Sequence, residues 1–323
     1  MHTLESSRLR KFHYCKPAYL ALASRLNLVT EQVKNSRCGI ACFQELDDQI
    51  LPILEENLNE THFLATAKLN LSLPSRDGVG IFVDSSRFEV LDTKAVRFGE
   101  FVDKHLPSLG EGAHEDKSSV SLTRALYREV SEKMNLAVMV RLMDKDANKE
   151  LIVCSSHLFW DPAYPDIKLI QSFILAKEIE EFSNKLPVIV GADLNSIPIT
   201  SGVYELLMGS GTVECSHAHH PVTLRSNKVN SILKSVSSDD VPSISITAPF
   251  KSAYKSRNGE EPAFTNYTSG FKGCLDYVLL KKFSVASTST LPTESELSAE
   301  TALPNSKVPS DHLPLVVDVE YIL

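Results

Sequence analysis

Five short clusters in this chain set carboxylate, amide and imidazole groups beside apolar runs. Gln44-Glu45 directly follows Gly39–Phe43, and a carboxylate held at such a strand end can bind a hard cation such as Mg²⁺ through oxygen. Ser155-Ser156-His157 closes a second apolar run, and Phe159-Trp160-Asp161-Pro162 follows at once, giving the histidine rigid apolar neighbours. Asp193 and Asn195 stand two residues apart in Gly191-Ala192-Asp193-Leu194-Asn195, so in an extended segment they point the same way. An Asp that orients water beside an Asn that donates to phosphate suits phosphoester hydrolysis. Asp276 falls within an apolar run, where an ionised group must be paired or coordinated. Ser310-Asp311-His312 offers an Asp–His pair that can make a general base, the Asp fixing the imidazole tautomer. Each cluster taken alone also fits a plainer role, as a polar strand end or a capped turn.

Several other chemistries find no support. There is no GxxxxGK[ST] phosphate loop, no GxSxG elbow and no HExxH zinc helix. Without a serine in a strained elbow, a serine-hydrolase triad is disfavoured. Cys215-Ser216-His217-Ala218-His219-His220 is rich in soft ligands, but no partner cluster has zinc spacing, and it reads as a polar loop.

The elements that must position these groups alternate between helix and strand. After Pro17, Tyr19, Leu22, Ala23, Leu26, Val29 and Val33 fall on one helical face. Gly39–Phe43 reads as a buried strand, and a helix follows near Asp48–Leu58. Strand patterns recur at Gly78–Asp84, Phe88–Val96, Asn135–Leu142 and Glu150–Ser156. A helix fits Asp166–Phe182, with Ile167, Ile170, Ile174, Ile179 and Phe182 near one face. Further strands fit Pro187–Gly191, Leu275–Leu280 and Leu315–Tyr321. Residues 103–119 and 226–247 read as long loops. No internal repeat or linker divides the chain, so one α/β domain over residues 1–323 is expected, its sheet covered by helices.

Composition bounds the function class. The 323 residues carry 33 basic and 41 acidic side chains, a net charge of −8, with 43% hydrophobic and 23% charged residues. These are values of an ordinary globular chain, not of a collagen, a coiled coil or a disordered tail. No apolar run is long enough to cross a membrane, and no membrane partner is expected. The acidic balance argues against coating long nucleic acid by bulk charge, but not against gripping a short strand in a cleft. Six scattered cysteines without a CxxC pair point to an intracellular, cytoplasmic setting, or a mitochondrial one should a targeting segment precede. Nothing in the sequence identifies a protein partner or an oligomeric state.

The order QE, SSH, GADLN, LDY, SDH resembles that of the endonuclease/exonuclease/phosphatase superfamily. Ser156–Gln171 looks like the carbon-catabolite-repression type of poly(A) deadenylase. Glu261–Leu279 and Ala302–Leu315 look closer to the 2′-phosphodiesterase branch, with Angel and nocturnin as cousins. The resemblance runs from about Tyr14 to the C-terminus, with gaps at the two loops.

That resemblance implies an α/β four-layer sandwich of two mixed β-sheets flanked by helices. It implies metal-assisted phosphodiester hydrolysis with Mg²⁺, Mn²⁺ being the alternative ion. By motif match, Glu45 would ligate the metal and Asp311 would lie beside it. His157 would contact the scissile phosphate, Asp193 would hold the attacking water or a second metal, and Asn195 would steady the phosphate. His312 would act as base or phosphate ligand, oriented by Asp276. An adenine-stacking pair falls on Pro162 and Phe271, and stacking supplies affinity more than base choice. The implied activity is a 3′→5′ exoribonuclease on single-stranded RNA, either adenine-rich 3′ ends or 2′,5′-linked oligoadenylate. Competing readings are another phosphoesterase of the same fold, acting on inositol phosphates, sphingomyelin or DNA, and a truncated, non-catalytic RNA-binding member. The chain departs from the pattern in one respect. Only a short polar stretch precedes Tyr14, with no Asn-bearing strand like YNxLA, and Asn27 and Asn35 belong to a helix. The sheet is therefore expected to lack its first strand.

Overall fold

The structure is a computed structural model that describes residues 11–59, 63–69, 77–105, 128–198, 201–214 and 243–322. Its first sheet orders β1 (Ile40–Leu46), β3 (Gly78–Asp84) and β2 (Phe63–Leu69), all antiparallel. The second sheet has six strands in the order β10-β13-β7-β6-β5-β4. These are Lys251–Ser252 (β10), Asp276–Lys281 (β13), Val188–Asp193 (β7), Lys149–His157 (β6), Leu136–Asp144 (β5) and Phe88–Arg97 (β4). Only β6 and β7 run parallel, so this sheet is mixed. Phe283–Thr288 (β14) and Val317–Tyr321 (β15) form a separate antiparallel pair.

Alternation along the strands builds the layers. Leu151 and Val153 of β6 join Val79, Ile81 and Val83 of β3 in one core between the two sheets. Ile152 and Cys154 point the other way, into the core under the long helix Pro165–Ser183. Pro165 opens that helix and Asn184, at a left-handed φ of 44°, closes it. On the outer face of the first sheet, Leu26 of the Leu22–Ser36 helix and Leu54 and Leu58 of the Ile50–Asn59 helix pack on Phe63 and Phe82. Each such fully buried side chain contributes about 1.5–3 kcal/mol. The result is helix, sheet, sheet, helix. No helix among the described residues is long and apolar enough to cross a membrane.

Several boundaries differ from the sequence expectation. β1 runs on through Gln44-Glu45 to Leu46, and β7 runs on to Asp193, so the chemical groups belong to the strands and not to loops beyond them. Most of the two expected loops lies outside the described residues, as does Cys215–His220. At their edges the chain is ordered otherwise. Val102–His105 is a helical turn, and Ser243–Ser245 (β9) pairs with Thr212–Glu214 (β8). β15 and β1 both pack against the inter-sheet core, through Val317 and Val319 and through Ile40 and Cys42. Among the described residues no strand joins them and none precedes β1.

The two sheets approach closely where β1 crosses β7. A Cβ at Gly191 would meet Cys42 Cβ at 2.7 Å and Cys42 Sγ at 3.0 Å. Gly191→Ala is expected to destabilise the protein by about 1–3 kcal/mol through overpacking. Urea unfolding of the two proteins measures it, and an unchanged midpoint would contradict the close approach.

Candidate active site

Register creates the site. Across the parallel pair, His157 of β6 stands opposite Asp193 of β7. Across the neighbouring antiparallel pair, Asp193 stands opposite Asp276 of β13. All three share the parity of residues that face the inter-sheet core, namely Val153, Ile189 and Val278. They therefore end that core as one row. His157 Nε2 lies 3.5 Å from Asp193 Oδ2.

A second set of segments brings His312 to this row. Asn266-Tyr267 (β11) pairs with Lys272-Gly273 (β12), and Asn266 also bridges to His312. Leu313 N–H donates to Thr265 O (2.7 Å) and Tyr267 N–H to Asp311 O (3.0 Å), which pins the Ser310–Leu313 segment. His312 Nδ1 then lies 2.8 Å from Asp276 Oδ2, and the same oxygen accepts from Thr265 Oγ1 at 2.6 Å. Ligand atoms of Asp193, Asp276 and His312 all lie within 4.8 Å of one another, close enough to hold a metal ion together.

The electrostatics follow from this crowding. Burial raises the Asp193 carboxyl, and neighbouring Asp276 raises it further, against the pull of His157 and His312. Burial alone would lower the His312 imidazole, but Asp276, by charge and hydrogen bond, then Asp193 and Asp311, hold it up to about 10. Burial would raise Asp311, yet His312 and Lys11 bring it below the usual carboxylate range. At neutral pH the row thus presents an imidazolium beside a carboxylate inclined to accept a proton.

Glu45 is placed differently. It is the extra residue of a bulge in β1, since Gln44 pairs with Val79 and Leu46 with Gly78. Its φ is 57° and its side chain is exposed, outside the Asp193–Asp276–His312 cluster. The bulge reverses parity, sending Leu46 to the outer core and re-aiming Glu45, a common device next to active sites. Gln44 fixes this end of β1, its Nε2 donating to Ser155 Oγ (3.0 Å) and Gly191 O (3.1 Å). Ser155 Oγ in turn donates to Phe43 O (3.0 Å). Asn195, at φ 46°, takes Asp193 Oδ1 on its N–H (2.8 Å) and donates from Nδ2 to Leu158 O (3.0 Å). One amide hydrogen of Asn195 is left for a ligand. Pro162 is exposed on the loop after β6. Phe271 is exposed on the β11–β12 turn, its ring beside Gly273.

The donor set fits a hard divalent cation. It is rich in carboxylate oxygen. Two of its acids repel one another, and the Asp311 carboxylate already draws the exposed Lys11 ammonium to 3.3 Å. Reading the sequence missed Gln44, Ser155 and Thr265 as supports, although Gln44 and Ser155 stood inside the quoted clusters. It also missed Lys11. Thr265 left no pattern, because its role arises from a pairing ten residues away.

Comparison with known proteins identifies the family. The model of the Endonuclease/Exonuclease/phosphatase family matches residues 14–312. The chain belongs to that family. Among family members, human 2′,5′-phosphodiesterase 12 is 29% identical over 330 residues, covering 98% of this chain and 49% of its own. The CCR4-Not complex 3′-5′-exoribonuclease subunit Ccr4 of Schizosaccharomyces pombe is 25% identical over 343 residues, covering 93% of this chain and 45% of its own. The chain thus spans about half the length of these relatives. The crystal structure of ANGEL2, a 2′,3′-cyclic phosphatase, in complex with adenosine-2′,3′-vanadate, superposes with a TM-score of 0.76 at 19% identity, covering 99% of this chain and 92% of that one. At that identity it speaks for the family fold alone.

The His312–Asp276 pair has a pH signature. A histidine raised in the folded state contributes stability that is full below its unfolded value near 6.5 and is lost as pH rises toward about 10. In metal-free protein, NMR titration is expected to show His312 protonated throughout the neutral range. Asp276→Asn is expected to bring its titration down by more than about one unit. An unshifted His312 in that variant would rule out Asp276 as the cause.

Proposed function

We propose that the chain is a Mg²⁺-dependent 3′→5′ exoribonuclease that hydrolyses phosphodiester bonds in adenine-rich RNA ends, 2′,5′-linked oligoadenylate or both. The observation that carries this reading is the register row His157–Asp193–Asp276, with His312 held against Asp276 at 2.8 Å. The names of the two sequence relatives, a 2′,5′-phosphodiesterase and a 3′-5′-exoribonuclease, support the choice of substrate. The whole of residues 1–323 acts as one domain in this reading.

Glu45 and Asp311 would hold the cation, with the Asp193 and Asp276 carboxylates available to it. The ion, when bound, offsets the negative charge that builds on the phosphate oxygens. The remaining chemistry belongs to the side chains. Asp193, inclined toward protonation, orients a water and takes its proton as the new oxygen–phosphorus bond forms. His312, kept cationic by Asp276, donates to a non-bridging phosphate oxygen and stabilises its developing charge. His157 donates to the same phosphate from the other side of Asp193. The free amide hydrogen of Asn195 steadies it. Pro162 and Phe271 sandwich the terminal base, whose π-face any stacking platform can grip. The bond to the leaving 3′ or 2′ oxygen breaks, that oxygen takes a proton from solvent to become a hydroxyl, and a nucleoside 5′-monophosphate is released. The compartment proposed is the cytoplasm, where scattered free cysteines stay reduced.

The test uses end-labelled 3′,5′- and 2′,5′-oligoadenylates with Mg²⁺ or EDTA, beside inositol phosphates, sphingomyelin and abasic DNA. Stepwise shortening from the 3′ or 2′ end, lost in EDTA, is expected. His312→Ala is expected to cost roughly 10²–10⁴-fold in rate. Absence of shortening with Mg²⁺, or an undiminished His312→Ala, would sink the proposal.

A further inference from the structure

Lys168 and Gln171 are among the buried polar side chains of the Pro165–Ser183 helix. Lys168 is 6% exposed and Gln171 fully buried. They are three residues apart and share a face. Gln171 reaches the loop after β6, where its Oε1 accepts Phe159 N–H at 2.8 Å. Its Nε2 donates to Asn135 Oδ1 at 3.3 Å, and Asn135 Nδ2 donates to His157 O at 3.2 Å. Lys168 reaches the other loop, where its Nζ donates to Asn195 O at 2.8 Å. One helical face therefore grips both loops that leave the reactive row.

The Lys168 contact falls on the residue that most needs it. Asn195 is a non-glycine residue at φ 46°, a backbone state that persists only when its surroundings hold it. Its amide N–H is taken by Asp193 and one side-chain N–H by Leu158 O, so Lys168 supplies the restraint on its carbonyl. A buried ammonium is costly beside an apolar side chain of similar size, so the contact is not explained by stability. Burial lowers Lys168 to about 8, while Asp161 and Asp193 pull it upward.

We propose that Lys168, with Gln171 beside it, is a positioning residue that clamps the Asn195 carbonyl and so sets the Asn195 side-chain amide at a fixed offset from His157. The proposal rests on the assignment of Asn195 to the phosphate. Lys168 touches no reacting atom; it acts through Asn195.

A double-mutant cycle on the full chain tests it, using oligoadenylate with Mg²⁺. Lys168→Met keeps the volume and removes the donor. It is expected to lower kcat roughly 10–100-fold with KM held within about threefold, the range found when a supporting hydrogen bond is lost. In an Asn195→Ala background the same change is expected to cost less than about twofold, because the group it positions is gone. Thermal melts of each variant report folding. Should Lys168→Met not fold, Lys168→Gln, a shorter donor, takes its place in the cycle. Equal losses in both backgrounds, or a loss carried by KM, overturn the proposal. Full activity in Asn195→Ala alone would instead remove Asn195 from the phosphate, a separate failure of the functional reading.

Discussion

Strand register is the constraint on which the rest depends. Three adjacent strands bring His157, Asp193 and Asp276 side by side because each ends or begins at the matching rung of the ladder. A slip of one residue in β7 would turn Asp193 into the helix-side core and leave Gly191, the residue that lets β1 approach, on the wrong face. Reactive geometry and packing are thus specified by the same set of backbone hydrogen bonds. The apolar alternation that locks the register is in effect the scaffold of the chemistry.

Polar contacts then fasten the surrounding segments to that ladder. Gln44 and Ser155 tie the first sheet to the second just beneath the row. Thr265 ties the Ser310–Leu313 segment to Asp276 from the side, because its hydroxyl donates to the carboxylate while accepting the Leu275 and Asp276 N–H groups. Buried polar groups of this kind cost free energy unless satisfied. Here they are satisfied by one another, and the carboxylate row is left with few ways to relax away from its mutual repulsion.

Much of this was legible in the sequence, and the reason is specific. β3, β5, β6 and the long helix read as continuous, largely apolar runs bounded by polar residues, and their positions agree with the structure to within one or two residues. Four of the five chemical clusters were legible because they sit in or against the strand-like runs Gly39–Phe43, Glu150–Ser156, Pro187–Gly191 and Leu275–Leu280. β2, Phe63–Leu69, and β14, Phe283–Thr288, were not, since small and polar residues such as Ala65, Thr66, Ala67, Ser284 and Ser287 blur the apolar signal. Glu45 shows a different limit. The strand was visible but the bulge was not, because an αL turn at a glutamate leaves no compositional mark. Lys168 and Gln171 show a third limit, where the helix was visible but the partners of its polar members lay in other elements.

The split in the first layer has one more consequence. β1 is paired along only one side among the described residues, whereas β7, which carries Asp193, is paired along both. Edge strands open at lower free-energy cost than central ones, so the β1 and β7 sides of the site differ in local stability. Any cation gripped by Glu45 and a residue of the second sheet would bind the ordered form of β1 alone. By mass action its occupancy would then suppress fraying of that strand. Were Glu45 to hold an ion, that ion's binding equilibrium and the pairing of β1 would be one and the same free-energy balance.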